Sequence, residues 1–208
     1  MKLAKVTMIL RGYNLAQVRN VARVLLDAKY VRNMEITLNS ENAYDIIHTI
    51  VDEFGNKLNI GAGTVQTMSE LVMAIKAGAK FVLSPRQMSE EMLSYCQKNN
   101  VISIPGSFTP SEVAAQFAKG ADIVKIFPAN ELSLSYARKI CEPMGDLKLM
   151  AVGGINKDNV YEALTSGYQY VGTAGGIFTK EQIRQEKYEA MVISLQEFEN
   201  NLKNIWKI

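Results

Sequence analysis

Two charged residues occur inside predicted apolar strands, and both could take part in chemistry. The first is Lys125, which lies in the apolar run 123–128. Strict alternation places Lys125 on the face opposite Val124 and Ile126. An ammonium group is costly to bury, so this lysine either reaches solvent at the strand end or has a lowered pKa. A partly neutral lysine can attack a carbonyl carbon and form a Schiff base.

The second charged residue is Glu35, which is flanked by the apolar residues Met34 and Ile36. Two opposite charges inside strands are consistent with a structural ion pair. They are also consistent with a catalytic pair, in which Glu35 moves protons while Lys125 forms a covalent adduct. A carboxyl group held near an amine and away from water can have a pKa suited to acid–base catalysis.

The order of the predicted elements indicates the fold that would position these residues. Eight short apolar runs alternate with amphipathic segments at about 20–25 residues per unit, the cadence of a (β/α)8 barrel. An open, doubly wound sheet would also show this alternation. We expect residues 1–208 to form one (β/α)8 TIM-barrel domain with a C-terminal helix at about 180–205. The predicted strands are 6–10, 31–38, 58–61, 80–84, 101–104, 122–127, 147–152 and 168–172.

Glycines follow the last two predicted strands, at Gly153-Gly154 and in the stretch 172–176. Glycine allows close backbone approach to a ligand, and a following helix start would present free N–H groups to an anion. Loops after the seventh and eighth strands are the usual phosphate site of barrel enzymes. By contrast, the Gly61-Ala62-Gly63 turn lacks the third glycine and the downstream acidic residue of a dinucleotide fingerprint.

Composition excludes several classes of function. The 208 residues carry a formal net charge of only +2, with no basic run, so we expect neither nucleic acid nor a membrane as a partner. The single histidine argues against histidine-based zinc sites and triads, and we expect no metal. Cys96 and Cys141 form no CxxC pair, which is typical of a cytoplasmic, disulfide-free protein.

Taken together, the motifs resemble the KDPG/KHG aldolase family, the class I aldolases that act on 2-keto-3-deoxy-6-phosphogluconate, its galactonate epimer or 4-hydroxy-2-oxoglutarate. The resemblance runs in order from about residue 6 to residue 178. The motifs that carry it are Leu10-Arg11-Gly12, Glu35 to Ser40, Ile60 to Val65, Ser84-Pro85, Pro105-Gly106, Val124 to Pro128 and Val152 to Gly154.

The resemblance implies a role for each matching residue. It implies that Lys125 is the Schiff-base lysine, that Glu35 is the general acid/base and that Thr64 helps to hold the pyruvyl carboxylate. Arg11 would be the clamp for the substrate carboxylate, with Asn39 where many members have an arginine. It further implies a homotrimer, a small-molecule substrate and no cofactor. Pro85 and Phe127 would line the pocket, and Gly153, Gly154, Ala174 and Gly175 would bind phosphate.

Three positions depart from the family pattern. Ala174-Gly175 stands where the family usually has Gly-Ser, which leaves only backbone donors for phosphate. Val152 replaces a frequent threonine, and Arg86 follows Pro85 where an uncharged residue is usual. Arg86 would be either a solvated loop charge or an additional anion contact.

The sequence therefore predicts a class I aldolase that cleaves a 2-keto-3-deoxy-6-phospho sugar acid into pyruvate and glyceraldehyde 3-phosphate. One alternative is a 4-hydroxy-2-oxoglutarate aldolase that yields pyruvate and glyoxylate. The others are a phosphate-binding isomerase or synthase that forms no imine, and a non-catalytic sugar-acid binding protein.

Overall fold

A computed structural model describes residues 2–203, in which nine strands alternate with helices. The strands are β1 (Val6–Leu10), β2 (Val31–Thr37), β3 (Asn59–Gly63), β4 (Phe81–Leu83), β5 (Ile102–Ile104), β6 (Gly106–Ser107), β7 (Val124–Ile126), β8 (Leu149–Val152) and β9 (Tyr170–Thr173). The helices are α1 (Leu15–Leu25), α2 (Ala43–Phe54), α3 (Met68–Lys76), α4 (Glu90–Lys98), α5 (Pro110–Ala118), α6 (Tyr136–Met144), α7 (Val160–Thr165), α8 (Lys180–Arg184) and α9 (Tyr188–Asn200). A 3₁₀ turn covers Ala129–Glu131.

The strands form a nearly closed parallel barrel, as predicted. Their order is β5-β4-β3-β2-β1-β9-β8-β7-β6, so the two edges, β5 and β6, are separated in sequence by Pro105 alone. The Ile123 N–H, just before β7, donates to the Ser103 carbonyl of β5 at 3.2 Å, and the Lys125 N–H of β7 donates to the Pro105 carbonyl at 2.9 Å, so this segment bridges the two edges. The fifth predicted strand, 101–104, is observed as β5, and the additional strand is the unpredicted β6, which follows Pro105, a residue with no N–H to give to a neighbour.

Two apolar clusters lie on opposite faces of the barrel wall. The inner cluster contains strand residues such as Ile9, Leu83 and Met150 and no helix residue. The larger outer cluster packs the other strand face against the helices. Burial of these two layers stabilises the barrel and leaves the interior accessible from the strand ends.

Local sequence signals start several of the helices. Asn14, Thr67 and Thr109 each form a capping box. The side chain of the N-cap residue accepts a hydrogen bond from the N–H of the third helical residue, and the side chain of that third residue accepts one from the N-cap N–H. These caps end the loops that leave β1, β3 and β6, and so fix where each loop returns to the helical layer.

The helix predicted at about 180–205 is divided into two. Helix α8 ends at Arg184, Glu186 adopts a left-handed φ of 50°, and α9 begins at Tyr188. A left-handed residue cannot continue a right-handed helix, which explains the break. The predicted end at 204–205 lies outside the described residues.

The helices are short throughout residues 2–203. The longest, α9, has 13 residues, whereas a bilayer span needs about 20. In that part of the chain, none combines the length and apolarity that a membrane-spanning helix requires.

Candidate active site

Lys125 lies inside the barrel, on the face opposite Val124 and Ile126, as the alternation predicts. Its neighbours Val124 and Ile126 belong to the outer cluster, whereas Ile123 and Phe127 belong to the inner one. The residue is 5% exposed, and its Nζ lies 4.9 Å from the centroid of the Phe127 ring. Burial lowers the pKa of Lys125 to about 8, a shift that the charge of Glu35 opposes and that of Arg11 supports.

Glu35 also faces the interior, on β2, and is 3% exposed. Burial raises the pKa of Glu35 to about 7, although the charges of Lys125 and Arg11 lower it. Both groups therefore titrate near neutral pH, as acid–base and nucleophilic roles require.

A glycine makes room for the Glu35 carboxylate. A Cβ at Gly63 would come within 1.5 Å of Glu35 Oε1, so any larger residue at this point of β3 would displace the carboxyl group. The register of the sheet places Glu35 between Ile9 of β1 and Gly61 of β3. Gly63 is thus explained by the space that the carboxylate needs, whereas a Cβ at Gly61 would come within 2.5 Å of the Phe81 ring.

Glu35 and Lys125 do not form a close ion pair. The salt bridges within 4.0 Å in residues 2–203 all lie elsewhere, and Glu35 Oε2 has no hydrogen-bond partner there. A structural pair would satisfy its buried oxygens. The geometry instead favours the catalytic interpretation, in which both groups remain available to a substrate.

A cavity of about 330 Å³ lies beyond these two residues, at the carboxyl ends of the strands. Phe127 lines it from the side of Lys125, and Ile9, the register partner of Glu35, lines it from β1. The exposed residue Arg11 also lines it, and its charge acts on both buried groups. The structure brings these residues together with the predicted phosphate-binding set Gly153, Gly154, Ala174 and Gly175.

The two glycine loops face this cavity with free donors. Gly153 and Gly154 have φ values of 114° and 69°, which side-chain-bearing residues rarely adopt. Among the described residues, the backbone N–H groups of Gly154, Ala174 and Gly175 donate no hydrogen bond to the protein. Successive free N–H groups in a loop form an anion-binding concavity.

The helix after the glycine pair begins later than the sequence predicts. Asn156 is a plausible helix cap by residue type, but α7 begins at Val160 and has six residues. The Asn156 N–H instead donates to Asn159 Oδ1 at 2.9 Å, and Asn159 Nδ2 donates to the Gly154 carbonyl at 2.9 Å. These asparagine contacts shape a turn, so the donors for an anion come from the loop rather than from a helix end.

The remaining predicted residues lie around this centre. Thr64 is half-buried and has a left-handed φ of 60°, which is uncommon for a β-branched residue and typical of functional sites. Pro85 and Arg86 line an adjacent cavity of about 340 Å³, which shares Phe127 with the first. Arg86 Nη2 donates to the Gln66 carbonyl at 2.9 Å, so Arg86 supports the loop after β3.

Asn39 and Ser40 differ in their surroundings. Asn39 is exposed and lines neither cavity. Ser40 Oγ accepts from the Gly12 N–H at 2.8 Å and lies 3.1 Å from Thr37 Oγ1, which holds the segment that follows Arg11. Sequence reasoning missed this supporting role, although Ser40 stood beside Asn39 in the motif.

Other features of the described residues do not form part of this centre. A cavity of about 730 Å³ between the loops after β1 and β2 is lined by residues such as Tyr13 and Asp45. Lys125 and Glu35 line neither this cavity nor the one of about 330 Å³, but only the smaller of the two is lined by their neighbours Phe127 and Ile9. No group of three or more His, Cys, Asp or Glu side chains in residues 2–203 is arranged to hold a metal ion. The chemistry therefore assigns the site to the cavity beside Phe127.

Comparisons with known proteins agree with this geometry. The family model described as KDPG and KHG aldolase matches residues 1–193. A probable 2-dehydro-3-deoxy-6-phosphogalactonate aldolase from Rhizobium meliloti is 30% identical over 171 residues, covering 82% of this chain and 80% of its own. The corresponding aldolase from Escherichia coli is 26% identical and covers 84% of each chain.

A solved structure shows the same fold. KDPG aldolase from Legionella pneumophila, with pyruvate captured as a covalent carbinolamine, is 27% identical and superposes with a TM-score of 0.83 over 92% of both chains. The family match over nearly the whole chain, together with a buried lysine and glutamate inside the barrel, shows that this chain belongs to the KDPG/KHG aldolase family.

Proposed function

We propose that this aldolase cleaves a 2-keto-3-deoxy-6-phospho sugar acid, of the gluconate or galactonate type, into pyruvate and glyceraldehyde 3-phosphate. The observation that carries the proposal is that Lys125 and Glu35 are both buried inside the barrel without forming an ion pair with each other. A cavity with free backbone donors lies close to them. The names of the relatives from Rhizobium meliloti and Escherichia coli support this substrate class.

The proposed reaction uses both buried groups, whose shifted pKa values suit a nucleophile and an acid–base group. Neutral Lys125 attacks the 2-keto carbon, and loss of water gives an iminium ion that attracts electrons from the C3–C4 bond. Glu35 takes the proton of the C4 hydroxyl, directly or through water, as that bond breaks. The aldehyde leaves, and the remaining enamine is protonated at C3. Hydrolysis of the iminium then releases pyruvate and regenerates the amine.

The two ends of the substrate need separate anion contacts. The loops containing Gly154 and Gly175 supply backbone donors suited to phosphate, and Thr64 is proposed to hold the pyruvyl carboxylate. Arg11 is the proposed carboxylate clamp, since a guanidinium group matches the two oxygens of a carboxylate. Its position in the glycine-lined cavity would also let it reach the phosphate end.

A second candidate is cleavage of 4-hydroxy-2-oxoglutarate to pyruvate and glyoxylate. The observation that favours it is Ala174-Gly175, which offers an anion no side-chain hydroxyl. One hydrogen bond to a charged group contributes roughly 1.5–3 kcal/mol, so phosphate affinity without it falls by about one to two decades. The loop N–H groups remain, and we therefore favour the phosphorylated substrate.

We also propose a homotrimer in the cytoplasm, on the basis of the family resemblance. The oligomer is tested by light scattering of the purified protein. A mass of about 69 kDa, three times the 23.1 kDa of the chain, supports the trimer, whereas a monomer or dimer mass contradicts it.

The first prediction concerns the covalent step. Borohydride added with pyruvate should fix a pyruvyl mass on the peptide that contains Lys125, as peptide mass spectrometry would show. Lys125→Arg should abolish both trapping and turnover, because a guanidinium group does not lose its proton to become a nucleophile. A label on the exposed Lys80 or Lys119 instead, or no label, would contradict the Schiff-base mechanism and leave the non-imine alternatives.

The second prediction concerns Glu35. Glu35→Gln should still trap pyruvate on Lys125 but lose about two to four decades of cleavage rate, the usual effect of removing an acid–base group. Stopped-flow measurement of aldehyde release checks this. Full activity of the variant would return Glu35 to a structural role.

The third prediction is a pair of opposite pH shifts. Glu35 raises and Arg11 lowers the pKa of Lys125, so Glu35→Gln should move the pH midpoint of Lys125 acylation downward and Arg11→Ala upward. Competitive acetylation read by mass spectrometry measures each midpoint, with exposed Lys119 as internal reference. Acylation midpoints of Lys125 that do not move in the two variants would show that neither Glu35 nor Arg11 acts on the lysine.

The same pKa values predict the pH profile of catalysis. Because the reactive amine and the ionised carboxylate both accumulate as pH rises, wild-type kcat/KM should increase between about pH 7 and pH 8.

The fourth prediction concerns substrate preference. Wild type should release pyruvate faster from a phosphorylated sugar acid than from 4-hydroxy-2-oxoglutarate; the reverse order would establish the short-substrate alternative.

The prediction for the carboxylate clamp is tested in the aldol direction. Arg11→Ala should raise the KM for pyruvate far more than Asn39→Ala, because Arg11 lines the cavity and Asn39 does not. Equal effects would disprove the carboxylate clamp. If Arg11→Ala changes only the KM for the phosphorylated aldehyde, Arg11 binds the phosphate end instead.

A further inference from the structure

A buried hydroxyl connects the two glycine loops. Thr173 Oγ1 donates to the Ile155 carbonyl at 2.5 Å and accepts from the Gly176 N–H at 2.9 Å. Ile155 belongs to the loop after β8 and Gly176 to the loop after β9, so one side chain joins segments that are 18 residues apart. Thr173 is 3% exposed, which shields both hydrogen bonds from water.

The packing around this contact leaves no slack. A Cβ at Gly176 would come within 2.1 Å of the Ile155 carbonyl oxygen and 2.5 Å of Thr173 Oγ1. The loops therefore meet backbone to backbone, and the threonine hydroxyl bonds to both of them. Since the hydroxyl proton and one lone pair are already used, Thr173 supports the loops rather than offering its proton to a ligand.

We propose that Thr173 is a positioning residue that fixes the spacing between the two glycine loops and thereby sets affinity for the phosphate end of the substrate. The proposal rests on the phosphorylated substrate proposed above. Ala174 and Gly175, the residues between Thr173 and Gly176, have no side-chain donor, so this loop can offer an anion only backbone N–H groups, whose positions the loop determines. Donors fixed in advance bind more tightly, because little conformational freedom is lost on binding.

The experiment compares Thr173→Val, which removes the hydroxyl at nearly constant shape, with Thr173→Ser, which retains it. The valine variant should raise the KM for the phosphorylated sugar acid about tenfold, a loss of about 1.4 kcal/mol, with kcat little changed. Its KM for 4-hydroxy-2-oxoglutarate should equal that of wild type. The serine variant should match wild type for both substrates.

Two further measurements separate positioning from general loss of structure. Amide exchange of Gly176, followed by NMR, should accelerate in the valine variant and remain slow in the serine variant. Titration with inorganic phosphate should show about tenfold weaker binding to the valine variant, at the same scale as the KM effect. If the valine variant does not fold, Thr173→Ala removes the hydroxyl without a branched side chain and is measured in the same way.

The outcomes distinguish this inference from the proposed function. An active wild type whose valine variant shows unchanged KM values, or equal increases for both substrates, overturns the positioning role and leaves the aldolase intact. A wild type that cleaves no sugar acid removes the proposed substrate, and the phosphate titration then decides: weaker binding only in the hydroxyl-less variant supports the role of Thr173. Absence of phosphate binding by wild type overturns it.

Discussion

The removal of Lys125 and Glu35 from water is the interaction on which the rest of the site depends. In solution an ammonium and a carboxylate titrate six pH units apart; inside the barrel, burial brings their pKa values to about 8 and about 7. Burial acts on the two groups in opposite directions, so one environment supplies both a reactive amine and a proton acceptor near neutral pH. Their mutual attraction limits the two shifts but does not cancel them.

The barrel provides this environment because it has an interior without a helix. The apolar cluster inside it contains side chains from the strands and their flanking residues and none from a helix, and Gly63 leaves the volume that the Glu35 carboxylate needs. The segment leading into β7 bridges the edges β5 and β6, which excludes water from the sides, so the charged pair is reached from the strand ends. The apolar side chains that stabilise the barrel and the reactive groups Lys125 and Glu35 thus occupy the same interior. The Phe127 ring, beside the lysine, is the boundary between them.

Above this boundary, specificity rests on loops held by short hydrogen bonds. Ser40 holds the segment after Arg11, Asn159 fixes the turn after Gly154, and Thr173 joins the last two loops. Each contact joins backbone groups that would otherwise be free to move, at the point where the substrate's anionic end is proposed to bind. The chain therefore separates its chemistry, built on rigid strands, from its substrate selection, built on loops.

The sequence by itself determined the cadence of strands and helices, the inward alternation of Lys125 and Glu35 and the positions of the glycine loops, because these follow from side-chain periodicity and local backbone preference. The tertiary structure was needed to locate the additional strand β6 after Pro105, the late start of α7 and the break before α9. It also decided both pKa values and the bond from Thr173 to Ile155. These depend on groups distant in sequence, and their separation in space is fixed only when the barrel closes.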